Sequence, residues 1–221
     1  MNIILNSALV CLFCIDYYAI YYKTTEVNKQ LTIKQKAYIL STKSSLTLVI
    51  LSLIFNYQFI KSNYNLDKYL LNLGSTSNFV VQLSVCNFLA YLIMDCYIGN
   101  KEYHKYMCTL SGYTHHFVYI IVNCLSIFTK ASPMYLLYMI SELPTVILSL
   151  GSYNKKFRND SLFGLTFFTT RICYHIFLTY MFRKHSLLLG VALSALSLHI
   201  YWFWNWVKKY LIAKTKLKKE N

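Results

Sequence analysis

Long apolar stretches alternate with short polar connections along the chain. Each stretch is about 20 residues long, enough at about 1.5 Å per residue to cross the hydrocarbon core of a bilayer. Helices are the expected spanning structure, because an open strand would leave backbone groups unpaired in lipid. The pattern therefore predicts an all-α, multi-pass transmembrane helical bundle with about seven spans. They are Ile3–Tyr22, Ile39–Phe59, Phe79–Ile98, Met107–Phe128, Pro133–Leu150, Ser161–Phe182 and Leu187–Val207.

Composition agrees with a membrane protein. Of the 221 residues, 56% are hydrophobic and 14% are charged, against about 25% charged residues in soluble domains. We divide the chain into a first transmembrane helix with a basic loop (1–33), a transmembrane domain (34–212) and a basic tail (213–221). The first helix is expected to be retained, because no Lys or Arg precedes Lys23 and no small-residue cleavage site follows the apolar run.

The net charge of +14 is unevenly spread between the connections. Sixteen cations fall on the side of the first, third and fifth connections and the tail, whereas five fall on the other side. By the positive-inside rule the N-terminus is luminal or outside and the C-terminus is cytosolic. Because these cations lie between apolar runs, they indicate contact with anionic lipid and not with nucleic acid. Membrane lipids are therefore the expected partners.

Ionisable side chains inside the apolar stretches are the candidate functional residues, since charges are costly in lipid. His115, Glu142, Arg171 and His199 lie on successive helices, roughly 12–15 Å from the predicted cytosolic ends at 1.5 Å per residue. Arg171 needs an anion, and Glu142 at matching depth is the expected partner, either as a structural tie or as part of a working site. The full set is Asp16, Asp95, His115, His116, Glu142, Arg171, His175 and His199.

The His115–His116 pair offers imidazoles that can act as base, nucleophile or ligand. Successive residues of a helix point about 100° apart, so one ring can face a cavity while the other meets a neighbouring helix. A metal would need three or four converging ligands, and no single helix carries a His-x3-His pair. We expect no metal and no cofactor.

Several segments in order resemble the TLC-domain family of membrane proteins, named after the TRAM, Lag and CLN proteins. GYTHHFVYIIVNCLS resembles the His-pair segment of that family, and VCNFLAYLIMDCY resembles its acidic segment, with Asp95 as the acid. MISELPTVILSL, FFTTRICYHI and YWFWNWVKKYL are similar to its Glu-bearing, Arg-bearing and closing aromatic–basic helices. Together with the YILSTKSSLTLVI start of the second helix, the resemblance covers roughly residues 34–212.

This resemblance implies a membrane protein of the endoplasmic reticulum or a related endomembrane. Ceramide synthases of the family transfer acyl groups from acyl-CoA, and their His pair is followed by further His and Asp residues. No Asp, Glu or His lies between Phe117 and Ile140, so the chain resembles the branch that affects membrane lipid composition. We expect a non-catalytic role in lipid homeostasis through an intramembrane polar cavity. The alternatives are an acyl-CoA-dependent acyltransferase using His115 or His116, with Asp95 orienting the base, and a trafficking or cargo adaptor acting through its basic tail.

Overall fold

Helices make up all the regular structure in residues 3–107 and 109–220, the part of the chain that the computed structural model describes. Side chains are described there except those of residues 109–111, 187 and 213–220. The α-helices are α1 Ile3–Val27, α2 Ile33–Lys36, α3 Ile39–Lys61, α4 Leu66–Asn72, α5 Ser75–Glu102, α6 His115–Phe128, α7 Ser132–Tyr138, α8 Leu143–Tyr153, α9 Asp160–Thr166, α10 Tyr174–Met181 and α11 Ser186–Glu220.

Six helices within the described residues are long and apolar enough to cross a membrane. They are Ile3–Val27, Ile33–Lys61, Ser75–Glu102, Ser132–Tyr153, Asp160–Met181 and Leu188–Ile212. The prediction of an all-α multi-pass bundle is confirmed. The segment predicted as the fourth span, Met107–Phe128, differs from the others: it is helical from Thr109, but its α-helical part, α6, has only 14 residues.

Three spans change their helical pitch midway. A π-helical turn, Thr109–Thr114, leads into α6, and a second, Phe167–Cys173, joins α9 to α10. A tighter 3₁₀ turn, Met139–Glu142, joins α7 to α8. Pro144 explains the tighter turn, because proline lacks an N–H and its ring crowds the carbonyl four residues earlier. Non-helical or strained backbone at membrane depth is tolerated where protein buries it, and the first two turns carry site residues.

The centre of the bundle is α5, whose residues from Val81 to Gly99 are largely buried. Helix α1 packs along one side of α5, and α3, α6 and α7 pack around the rest of it. Helix α11 lies at the edge, against α9, α10 and the π turn between them. Gly164 permits this close approach, since a Cβ there would collide with the ring of Trp206. The more loosely packed edge is where the cavities described below lie.

The predicted connections contain short helices with conventional caps. Thr32 forms a capping box with Gln35 at the start of α2, and Asn65 and Asn159 cap α4 and α9 through their side chains. The backbone of α11 stays helical to Glu220. The tail side chains from residue 213 and residue 221 itself lie outside the described part, so the predicted role of the basic tail has no structural account here.

Candidate functional site

Asp95, His116 and Tyr103 form a buried group that we call the carboxylate cluster. The Tyr103 hydroxyl donates to Asp95 Oδ1 at 2.6 Å. His116 Nε2 lies 2.9 Å from Asp95 Oδ2, although this ion-pair contact is not aligned as a hydrogen bond. On its other side, His116 Nδ1 donates to the backbone carbonyl of Gly112 at 2.9 Å. The cluster therefore joins α5, the loop after it and the start of α6.

Hydrogen-bond roles fix where protons lie in the carboxylate cluster. A carbonyl only accepts, so the Nδ1 of His116 carries a proton. On the other side of the ring, His116 Nε2 lies within ion-pair distance of Asp95 Oδ2. Burial and, after it, the charge of Asp95 raise the pKa of the Tyr103 phenol, which keeps it a donor. Both nitrogens of His116 are committed, which leaves none free to act as a base.

Glu142 and Arg171 meet, as their matched depth predicted. Arg171 Nη2 lies 3.4 Å from Glu142 Oε1, with both side chains nearly buried. The guanidinium also donates to the Ser141 carbonyl at 2.6 Å and to the Thr145 hydroxyl at 2.9 Å. Arg171 thus ties the π turn to the 3₁₀ turn and the first turn of α8. With His199, these two residues form what we call the arginine cluster.

His199 links the arginine cluster to α6. Its Nδ1 donates to the backbone carbonyl of Arg171 at 3.2 Å, so the neutral ring accepts at Nε2 from the Tyr119 hydroxyl at 3.3 Å. His175 packs beside it, with the ring centroids 5.2 Å apart. Glu142, Arg171 and His199 therefore form a connected set of contacts, which reaches α6 through Tyr119.

His115 behaves differently from His116. Its ring packs against Tyr119, with centroids 4.5 Å apart, and edge-on against Trp202 at 5.1 Å. Its Nδ1 is buried and has no hydrogen-bond partner among the described residues. The Nε1 of Trp202 is likewise buried and has no hydrogen-bond partner among the described residues. The two adjacent histidines thus face different surroundings, as their spacing on a helix predicted.

The π turns serve both clusters in the same way. In each, a histidine Nδ1 donates to a carbonyl of the turn: His116 to Gly112, and His199 to Arg171. The wider turn offers carbonyls that a regular helix would engage in its own ladder. The hydrophobic periodicity gave no sign of these turns, because one extra residue in a helix shifts the apolar face without interrupting it.

An elongated apolar cavity of about 640 Å³ lies between α6, α7 and α11. It follows α6 from Thr114 to Thr129, roughly 20 Å at 1.5 Å per residue. Tyr119, His175 and His199 are among its lining residues, and on α11 the lining residues Gly190 and Ser194 are exposed. Its volume falls within the range of about 300–1,000 Å³ that is typical of ligand sites. We call it the apolar cavity.

A second cavity, the basic cavity, measures about 580 Å³ and lies at the predicted cytosolic end of the bundle. Its wall contains three cations, Lys34, Arg158 and Lys209, and one acid, Asp160, which forms an ion pair with Arg158 at 3.0 Å. Trp202 lines it too, and the same indole touches His115 and His199. The layer of Trp202 and the two histidines therefore separates the two cavities.

The remaining predicted residues lie away from these clusters. Asp16 pairs with Lys43 on α3, and Lys43 also lies over the ring of Tyr17, 4.1 Å from its centroid.

In the described part of the chain, no group of three or more His, Cys, Asp or Glu side chains could hold a metal ion. Sequence reasoning missed Tyr103, Tyr119 and Trp202 as members of the site, because tyrosine and tryptophan are common throughout this chain.

Comparison with protein-family models, with curated proteins and with solved structures found no match for this chain. The TLC-domain resemblance therefore stays a prediction, and the functional argument rests on the geometry of the clusters and cavities.

Proposed function

We propose that this chain is a lipid-handling membrane protein of lipid homeostasis, which holds the acyl or alkyl chain of a membrane lipid in the apolar cavity. The observation that carries the proposal is the shape of that cavity. It runs roughly 20 Å along α6 at 1.5 Å per residue, and its mainly apolar wall includes the polar side chains of Tyr119, His175 and His199. An extended hydrocarbon chain fits such a shape, and these polar side chains suit a headgroup.

Blocking the cavity tests the proposal. Gly190 lines it, and a Cβ added there meets no atom within 4 Å, so Gly190→Leu fills the space without a backbone clash. Gly74 is equally open but lies at the start of α5, away from the cavity, so Gly74→Leu is the matched control. Both variants should fold: Gly190 lies inside α11, where leucine is a good helix former, and Gly74 is the N-cap of α5, with an extended backbone (φ −66°, ψ 172°) that leucine can adopt and open space for its side chain.

Photo-crosslinking of a single-chain lipid carrying a diazirine gives the readout. In the purified full-length protein, label should concentrate on peptides from α6 and from residues 188–199. Gly190→Leu should remove most of that label, and Gly74→Leu should keep it. Equal labelling of both variants, or label spread over outer faces of α1, would overturn the proposal.

The basic cavity favours a second candidate, the acyl-CoA-dependent acyltransferase. Lys34 and Lys209 on its wall suit the phosphates of a soluble acyl donor, whereas Arg158 is paired with Asp160. His115, and not His116, is then the base, because its Nδ1 has no partner among the described residues and its ring touches the indole shared with the basic cavity. Release of CoA from acyl-CoA by the wild type, lost in His115→Ala and retained in His116→Gln, would support this candidate. Absence of turnover in the folded wild type would remove it.

A further inference from the structure

The apolar cavity offers no charge to a ligand. None of its described lining residues is Asp, Glu, Lys or Arg. Arg171 and Glu142 lie close by, but the guanidinium is engaged by Ser141, Thr145 and Glu142. An ionised headgroup placed in this cavity would lose its hydration without gaining a counter-charge, which is strongly unfavourable.

Two polar atoms of the cavity wall are nevertheless left over. The hydroxyl of Tyr135 and the Nδ1 of His175 are buried without a hydrogen-bond partner among the described residues, and both residues line the cavity. Other polar groups of the wall are engaged: Tyr119 with His199, Ser126 with the Asn123 carbonyl, and Thr129 with the Leu125 carbonyl. Because both atoms belong to residues on the wall of one cavity, they are available to hydrogen-bond a ligand there.

The roles of the two atoms are complementary. His175 Nε2 donates to the Ala192 carbonyl at 3.0 Å, so Nδ1 of the neutral ring is an acceptor. No described carboxylate in the wall balances an imidazolium there. Tyr135 supplies an O–H donor. The cavity thus presents one donor and one acceptor, which is the complement of a group that itself both donates and accepts.

We propose that the occupant of the apolar cavity is a single-chain lipid with a neutral hydroxyl head, bound by the Tyr135 hydroxyl and by Nδ1 of His175. The inference rests on the proposed function and adds the class of its ligand. The hydroxyl proton goes to His175, and the hydroxyl oxygen accepts from Tyr135. The hydrocarbon chain extends along α6 toward Thr129.

Three probes of equal chain length test the inference: a long-chain primary alcohol, the corresponding fatty-acid carboxylate and the corresponding alkane. Equilibrium binding of each labelled probe is measured on the purified full-length protein in detergent. The alcohol should bind roughly tenfold more tightly than the alkane, as one to two net hydrogen bonds supply. The carboxylate should bind more weakly than the alcohol at a pH where it is ionised.

Variants assign the effect to the two residues. Tyr135→Phe and His175→Phe should each lower the affinity for the alcohol toward that of the alkane, while leaving alkane binding unchanged. Unchanged alkane binding also shows that the variant is folded. Tyr180→Phe removes a hydroxyl from an exposed tyrosine on α10 outside the cavity and should change neither affinity.

The outcomes separate this inference from the proposed function. Equal affinity for alcohol and alkane, or tightest binding of the carboxylate, overturns the neutral-hydroxyl inference and leaves the lipid cavity in place. Binding of none of the three probes, or binding that Gly190→Leu does not reduce, overturns the proposed function itself.

Discussion

The carboxylate cluster and the arginine cluster are both buried and both join several helices, yet they relate differently to the cavities. In the carboxylate cluster, Tyr103 donates to Asp95, His116 Nδ1 donates to Gly112 and His116 Nε2 faces Asp95 at 2.9 Å, and none of the three residues lines either cavity. The arginine cluster borders the apolar cavity through His199 and lies beside His175, which has an unpartnered nitrogen among the described residues.

This difference separates a structural tie from a working surface. Buried charges that satisfy one another fix how helices meet, whereas polar atoms left beside a cavity are available to a ligand. The carboxylate cluster holds α5 against α6 at the end of α6 where the cavity begins. The arginine cluster joins α8, the π turn and α11, and its His199 supplies a polar group to the wall of the apolar cavity. The following substitutions test this division, in order of decreasing expected effect.

Loss of Arg171 should be the most damaging single change. Arg171→Leu leaves Glu142 as a buried unpaired charge and should lower the free energy of unfolding by about 3–5 kcal/mol. Because the two residues share one interaction, the double variant Arg171→Leu/Glu142→Leu should lose less than the sum of the single losses. Unfolding in mixed micelles followed by far-UV circular dichroism measures both, with Arg183→Leu at an exposed cation as control. Strict additivity would show that the pair contributes nothing.

Replacing each acid by its carboxamide should lower the free energy of unfolding by different amounts in the two clusters. Glu142→Gln leaves the Arg171 guanidinium without an anion and should cost about 3 kcal/mol, the lower end for a broken buried pair. Asp95→Asn should cost only about 1 kcal/mol, because the amide oxygen accepts from Tyr103 and the amide N–H donates to Nε2 of a neutral His116.

Asp95→Leu is the control at that position. It leaves the Tyr103 hydroxyl and His116 Nε2 without partners and should cost about 2–4 kcal/mol. If Asp95→Asn were as damaging as Asp95→Leu in the same unfolding assay, a charged Asp95–His116 pair would be required, and the two clusters would be alike.

Removing one hydroxyl at each cluster should cost less than breaking the Arg171–Glu142 pair. Tyr103→Phe removes a bond to a carboxyl group and should cost about 1.5–3 kcal/mol. Tyr119→Phe removes a longer bond to a neutral imidazole and should cost about 0.5–1.5 kcal/mol. The thermal unfolding midpoints of the two purified variants, compared with that of the wild type, show which variant loses more stability. A larger loss for Tyr119→Phe would contradict the description of the carboxylate cluster as the tighter group.

Much of this architecture follows from apolar length alone. Helix α3 begins at the predicted residue, Ile39, because a span in lipid must be continuous and apolar. Counting residues inward from the basic ends also placed Glu142 and Arg171 at one level, and the structure pairs them. These features depend only on depth along a span, which can be counted in residues directly from the sequence.

Features that depend on rotation about the helix axis were not predictable in this way. The contact between Asp95 and His116 was expected only within the acyltransferase alternative, and nothing in the pattern predicted that the Gly112 carbonyl would engage the same ring. The π turns that set these directions leave no trace in hydropathy. Cavities also escape sequence reasoning, since they are defined by where side chains of separate helices fail to meet.

The position of Trp202 between the two cavities gives the protein an intrinsic optical reporter. All three tryptophans of the chain, Trp202, Trp204 and Trp206, lie within five residues of α11. Trp202 touches two histidines, Trp206 lines the basic cavity, and Trp204 is exposed. Tryptophan emission, excited at the long-wavelength edge of the band where tyrosine does not absorb, therefore comes from this one stretch. A shift in its wavelength on ligand addition would report events at the layer between the cavities, without a dye.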